Sequence, residues 1–302
     1  WQCLWARVIF TTMTSAITSN LIASVISTIP GQIAIVQELT AGLSDSYVAK
    51  VSLNASPAVL KIQQHRRELD FYRHVVPTCL GNASFLADVF GLGEYAGWNW
   101  LLLEYVPHAL PRERWNYDQQ ALSILKTIHE APVPLSDFDW AESDWHQGDI
   151  DYCTASLPPE AIEKIVLIHQ RYESIRNAHR VLCSGDPNQP NWRVRENGQL
   201  VLLDWQTVTI ANRALDLAGW IATLENWDSI AKIAATYLDT APSDPIALDL
   251  AQAVTTYFCR RCVSIFKLAS NMADRPEIRK SVESLTQWLP SWLDDVVSTG
   301  AF

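Results

Sequence analysis

The segment CSGDPNQPNWRVRENGQLVLLDWQ, residues 183–206, constrains this chain more than any other stretch. Two short apolar runs, WRVR and QLVLLD, flank Asn197-Gly198, the dipeptide best suited to a tight turn between antiparallel strands. The segment therefore reads as a β-hairpin with a polar loop in front of it. That arrangement puts Asp186 and Asn191 in the loop and Asp204 at the end of the second strand. Carboxylate and amide oxygens grouped in this way suit a hard divalent cation such as Mg²⁺, which also recruits phosphate oxygens. An aspartate five residues before an asparagine can orient a hydroxyl while the asparagine holds a metal. A plainer reading of the same residues is also open: Asp186-Pro187 and Asn188 as turn formers, with Asp204 merely closing a strand.

The remaining chain divides into a strand-rich part and a helical part. Residues 33–39, 47–53 and 58–62 read as three strands with short connections, hence an antiparallel meander. Residues 64–75 change period, with Leu69, Tyr72 and Val76 on one helical face, and segments 84–91 and 98–106 return to strand character. Beyond Pro107 the signals are mostly helical: Ala121, Leu122, Leu125 and Ile128 mark one helix, and Ile162 to Tyr172 mark another opened by Pro158-Pro159. Asp244-Pro245 opens a long apolar helix, and a Trp-rich helix ends the chain. The uncharged run 8–37 is broken by Ser, Thr and Asn and reads as a short amphipathic helix stopped at Pro30-Gly31, not as a membrane span. Met13 is one of two methionines, and residues 1–12 are set aside as an added or upstream extension.

The hairpin segment, taken with its surroundings, resembles the aminoglycoside phosphotransferase and choline kinase superfamily, whose fold is similar to that of protein kinases. The shared pattern is GDxxxxN, a hairpin, and an apolar strand ending in Asp-Trp. The resemblance implies a two-lobed α+β fold, with a nucleotide-binding lobe over 13–106 and a helical catalytic and acceptor-binding lobe over 107–302. It implies Asp186 as the catalytic aspartate facing the acceptor hydroxyl, with Asn191 and Asp204 as Mg²⁺ ligands and ATP or GTP as phosphate donor. A phosphoryl-transfer enzyme of this fold needs a strand lysine for the phosphates and a helix glutamate to hold it. Lys61 in PAVLKI and Glu68 in RRELDFY fill those places, with Lys50 as the rival lysine. Gly42 and Ser44 fall where the phosphate-covering loop belongs, and Glu104 and Val106 in LLLEYVP where backbone groups meet the base. Asp216 in ALDLAGW resembles the aspartate that braces the catalytic loop.

Some departures bear on that reading. Ser184 stands where the family usually has histidine, the nucleotide loop has a single glycine, and Glu68 follows Lys61 closely enough that it must act from the first or second turn of its helix. Ser184 and the thin glycine loop are the support for an alternative, a kinase-fold pseudoenzyme that binds ligand without turnover. No HRD, DFG or APE signature points to protein substrates.

Charge and composition bear on the acceptor. Lys+Arg number 23 against 33 Asp+Glu, a net charge of −10, which argues against nucleic-acid binding and for cationic partners. Residues 135–153 hold Asp137, Asp139, Glu142, Asp144, Asp149 and Asp151, with Phe138, Trp140, Trp145 and Tyr152 and no Lys or Arg. Carboxylates and indole faces together attract ammonium groups. Asp144, Asp149, Trp140 and Trp145 are therefore candidates for binding a cationic acceptor, an aminoglycoside-like antibiotic first and a choline-like amino alcohol second. Trp220, Glu225, Trp227 and Asp228 offer a weaker second wall. A solvated acidic loop with core tryptophans is the bland alternative. His129 and His169 read as packed helix residues, and the Asn54 and Asn82 sequons as chance matches. The six cysteines, with no spacing for a disulfide or zinc framework, fit a reducing cytoplasm.

Overall fold

The computed structural model describes residues 17–39, 46–133, 138–141, 144–272 and 275–299. Helix α1 (Ser19–Thr28) opens on Thr18, whose hydroxyl accepts from Leu21 N at 3.2 Å. Its apolar face, Ile22 and Val25, is buried against one side of a sheet built from β1 (Ile33–Leu39), β2 (Tyr47–Leu53), β3 (Ser56–Gln63), β4 (Val89–Tyr95) and β5 (Trp98–Glu104). The order is β1-β2-β3-β5-β4, antiparallel throughout. Ala49, Val51, Ala58, Leu60, Ile62, Trp100 and Leu102 complete the small core under α1.

Between β3 and β4 the structure departs from the sequence expectation in two places. The helix expected over 64–75 becomes α2, regular only over Arg67–Asp70 and continuing as a π-helix over Phe71–Leu80. Pro77 lies inside it, and proline supplies no N–H and crowds the carbonyl four residues back, so the turns widen instead of closing at i−4. The wide winding carries the helix to Gly81, whose N–H reaches Val76 O at 2.7 Å. The strand expected over 84–91 starts at Val89; Phe85 and Leu86 are buried because they anchor a loop in the main core, which is why their apolar run imitates a strand. In β4 itself, a Cβ at Gly93 would lie 2.4 Å from the Trp100 ring, so glycine there makes room for the indole.

The second lobe carries β6 (His108–Ala109), α3 (Gln119–Glu130), α4 (Pro159–Ile175), β7 (Arg180–Cys183), β8 (Trp192–Val194), β9 (Leu200–Leu202), β10 (Thr209–Asn212), α5 (Ala214–Trp220), α6 (Trp227–Leu238), α7 (Pro245–Asn271) and α8 (Pro276–Ser298). The hairpin of the key segment is β8–β9, with Val194 opposite Leu200, and β6 pairs on its outer side. Strands β7 and β10 pair antiparallel and bracket the polar loop. Helix α7 begins where Asp244 accepts from Ile246 N at 2.9 Å and runs through the middle of the large core, burying Val254, Tyr257, Phe258 and Val263. Among the described residues no helix is long and apolar enough to cross a membrane.

Candidate active site

Strand β7 delivers the chain into Ser184-Gly185-Asp186, and two features fix the loop there. Gly185 has φ +84°, and a Cβ on it would fall 2.0 Å from Thr207 O, so only glycine permits this approach. Asp216, fully buried in the first turn of α5, accepts from Ser184 N and Gly185 N at 2.8 Å each. His129 of α3 bonds the same carboxylate through Nε2 at 3.2 Å, and its Nδ1 pairs with Tyr237 OH at 2.9 Å. The loop is thus braced through its backbone, and the side chain at position 184 takes no part in it.

Asp186 is half-buried, and Asn188 donates to both of its oxygens at 2.7 Å. Asn191 turns its Nδ2 onto Asp186 O at 2.8 Å, which leaves its amide oxygen for other partners. Burial pushes the Asp186 carboxyl up to about 6, although the Arg261 guanidinium pulls the other way. Arg261 reaches this region from α7, donating to Gly219 O at 3.0 Å. Neither Asn188 nor Arg261 was singled out in the sequence: asparagine beside proline reads as a turn former, and an arginine in a long apolar helix carries no local motif.

Across the cleft Lys61 stands on β3, 8% exposed, with Nζ 2.6 Å from Glu68 Oε2 and 2.6 Å from Asp204 Oδ1. Burial alone would lower the Lys61 ammonium, but Asp204 and Glu68 more than offset it and hold the group above its ordinary value. Glu68 is fixed further by Gln63 Nε2 at 3.3 Å and Trp205 N at 3.3 Å. The rival Lys50 lies 3.9 Å above the Tyr105 ring and takes no part in this cluster. Asp204 sits in the left-handed region, φ 65° and ψ 66°, as the chain leaves β9. Replacing Lys61 by Met should leave Glu68 buried without its cation, a loss of about 3–5 kcal/mol. Urea unfolding of Lys61→Met against Lys61→Met/Glu68→Gln checks this, because removing both charges should restore part of the stability.

The cluster opens into a cavity of about 400 Å³ between the lobes, lined by Ser46, Val48, Val59, Lys61, Glu68, Glu104, Tyr105, Val106, Asn191, Arg193, Leu203 and Asp204, among others. Glu104 and Val106 border it, and the Glu104 carboxylate is held by Arg195 at 2.8 and 2.6 Å, so its side chain is committed elsewhere. Gly42 and Ser44 lie outside the described residues.

The APH family, described as the phosphotransferase enzyme family, matches residues 35–260. The chain belongs to that family. No curated protein sequence matches it. Among solved structures, spectinomycin phosphotransferase APH(9)-Ia bound to AMP superposes with a TM-score of 0.67 at 12% identity, covering 91% of this chain and 98% of that one. The aminoglycoside phosphotransferase APH(4)-Ia with ADP and hygromycin B gives 0.59 at 12%, covering 93% and 98%. Choline kinase LicA from Streptococcus pneumoniae gives 0.61 at 14%, covering 91% and 98%. These likenesses establish the two-lobed kinase-like fold.

In this APH-family chain the acidic segment 138–153 differs from its sequence reading. Trp145 is 2% exposed, packed edge-on against His169 and Tyr172, so it belongs to the core and presents no face to a cation. Asp144 pairs with Arg176 at 3.1 Å, Asp149 with Lys267 at 2.7 Å and Asp139 with Arg67 at 3.0 Å. The segment contains no Lys or Arg of its own, but Arg67 of α2, Arg176 at the end of α4 and Lys267 of α7 meet it in the fold, which no local pattern reveals. Trp140 is half-buried against Phe138, ring centroids 4.3 Å apart. Asp137 and Glu142 lie outside the described residues. A second cavity of about 480 Å³ sets an exposed indole beside a carboxylate: Trp288 and Asp295 of α8 line it with Thr223, Leu224, Asn226 and Trp292, the last mostly buried with its indole N–H donated to Glu225 O at 2.7 Å, while Asp295 also accepts from Trp227 N at 3.1 Å. The count of 13 tryptophans hid this pair, since core packing accounts for most of them.

Proposed function

We propose that this protein transfers the γ-phosphoryl group of ATP or GTP to a hydroxyl of a small molecule. The observation that carries the reading is that Asn191 and the Lys61–Glu68–Asp204 cluster line one interlobe cleft, with Lys61 held 2.6 Å from both carboxylates and Asp186 tied to Asn191 through its own carbonyl at 2.8 Å. Asp186 orients the acceptor hydroxyl and takes its proton as the bond to phosphorus forms in line with the leaving diphosphate. Lys61, kept charged and in place by Glu68, meets the phosphates. Asn191 and Asp204 offer an amide and a carboxylate oxygen, a donor set that fits Mg²⁺ better than a softer metal. When bound there, Mg²⁺ would offset the charge of the phosphate oxygens. Catalysis comes mainly from position and electrostatics.

For the acceptor we take a cation, an aminoglycoside-like sugar first and a choline-like amino alcohol second. The first would make the protein an antibiotic-resistance enzyme. The supporting features are the net charge of −10 and the α8 cavity that sets Trp288 beside Asp295, a pocket separate in its lining from the nucleotide cleft; Asp139, Asp144 and Asp149 of the acidic segment are already paired with Arg67, Arg176 and Lys267. Asp295→Asn should raise the acceptor KM by about fivefold, the loss of one partly exposed charge contact, with nucleotide KM unchanged. Steady-state kinetics at several salt concentrations checks this, and the wild-type acceptor KM should itself rise with salt. A neutral or anionic best acceptor would remove the cation reading. Cys79, Cys153, Cys183, Cys259 and Cys262 carry free thiols, which suits the cytoplasm as the site of action.

A further inference from the structure

Within the nucleotide cleft, Arg193 is a cation to which the reaction scheme gives no role. It stands on β8 between Trp192 and Val194, both buried in the main core at 0% and 9% exposure. Alternation along the strand turns Arg193 to the opposite face, where it lines the interlobe cavity. Its register opposite Ala109 on β6 sets it beside the segment that leaves Glu104–Pro107. The cavity is lined from both lobes: Val48 and Val59 come from the five-stranded sheet, while Arg193 and Leu203 come from the helical lobe. Apolar valine side chains and a guanidinium are thus contributed to the same cavity from opposite lobes.

The other cations nearby are committed: Lys61 to Glu68 and Asp204, Arg195 to Glu104 and to the carbonyls of Ser84 and Leu86, Lys50 to the Tyr105 ring. Among the described residues Arg193 makes no ion pair and no side-chain hydrogen bond. A half-buried charge without a partner is a cost that a ligand can offset. The planar, weakly hydrated guanidinium is also the cationic group best suited to lie flat on an aromatic face.

We infer that Arg193 stacks its guanidinium on the face of the donor's purine, a role that rests on the nucleotide-dependent reading above. Adenine and guanine both offer a π-face, so this contact raises affinity for either base without choosing between them. Discrimination is left to the backbone groups of Glu104 to Val106. Arg193 also acts apart from the phosphates, which belong to the Lys61 end of the cleft.

Calorimetric titration of the full chain with Mg·ATP, Mg·GTP and adenosine tests this in the wild type, Arg193→Met and Arg193→Lys. Melting curves confirm that the variants are folded, which is expected because the side chain faces the cleft. Arg193→Met should weaken all three ligands by a similar factor, about tenfold for a desolvated cation–π contact, and Arg193→Lys should recover part of the loss. Unchanged affinities would overturn the inference. So would a loss confined to the triphosphates with adenosine binding intact, since that would mark a phosphate contact. A wild-type protein that binds none of the three would instead remove the nucleotide-dependent reading itself.

Discussion

Asp186→Asn should lower kcat by about two to four orders of magnitude, the usual range for losing a general base. Mg·nucleotide affinity should stay within about twofold, because Lys61, Asn191 and Asp204 remain in place. The same substitution should leave the protein equally or more stable. The Asp186 carboxyl is raised to about 6 by burial, whereas an unfolded aspartate ionises near 4. Below about pH 4 both states are protonated and the folded state bears no charge cost; above about pH 6 it bears the full cost of an ionised, half-buried carboxylate. Asparagine removes that cost, on the order of 2 kcal/mol after allowance for partial exposure. Melting temperatures at pH 8 should therefore rise by a few degrees in the variant, and the difference should shrink toward pH 4. Wild-type kcat/KM should fall as pH drops through about 6. A variant less stable than wild type at pH 8 would contradict the electrostatic description of the site.

Asp204→Ala should abolish turnover by a different route. In the proposed reaction this side chain would offer an oxygen to Mg²⁺, and it holds Lys61 at 2.6 Å, so its loss would remove both the proposed metal's carboxylate and one of the two anchors of the lysine. Wild-type nucleotide binding should depend strongly on Mg²⁺. In Asp204→Ala that dependence should largely vanish, because the asparagine oxygen alone holds the ion poorly. Titrations with and without chelator separate this variant from Asp186→Asn, which should keep the metal effect intact. Retained Mg²⁺ dependence in Asp204→Ala would show that the metal is held elsewhere.

How far these residues could be read from the sequence depended on whether their signal was local. The β8–β9 hairpin was legible because Asn197-Gly198 sits between two apolar runs, and Gly198 adopts φ +83° as that turn requires. The first three strands and α1 were legible from period and from Pro30-Gly31. The π-wound half of α2 was not, since the apolar spacing up to Val76 fits an ordinary helix and only Pro77 hints at the change. Asp186, Asn191, Lys61 and Asp204 stand in motifs, whereas Arg193 owes its place in the cleft, and Asn188 and Arg261 their places near Asp186, to tertiary packing. The acidic segment misled for the same reason: Arg176 and Lys267 lie far along the chain and meet Asp144 and Asp149 only in the fold. Serine at position 184 looked like a missing brace. The structure supplies the brace through Asp216 and His129, and it buries the Ser184 hydroxyl without a partner.

The most direct measurement is transfer of labelled γ-phosphate from ATP and GTP to a panel of aminoglycosides, macrolides, choline and related amino alcohols, run with wild type and Asp186→Asn side by side. Wild type should form a phosphate ester on at least one cationic hydroxyl acceptor, and the variant should give a yield at least about a hundredfold lower. Equal yields from the two proteins, or nucleotide that binds without any acceptor being phosphorylated, would contradict the proposed transfer.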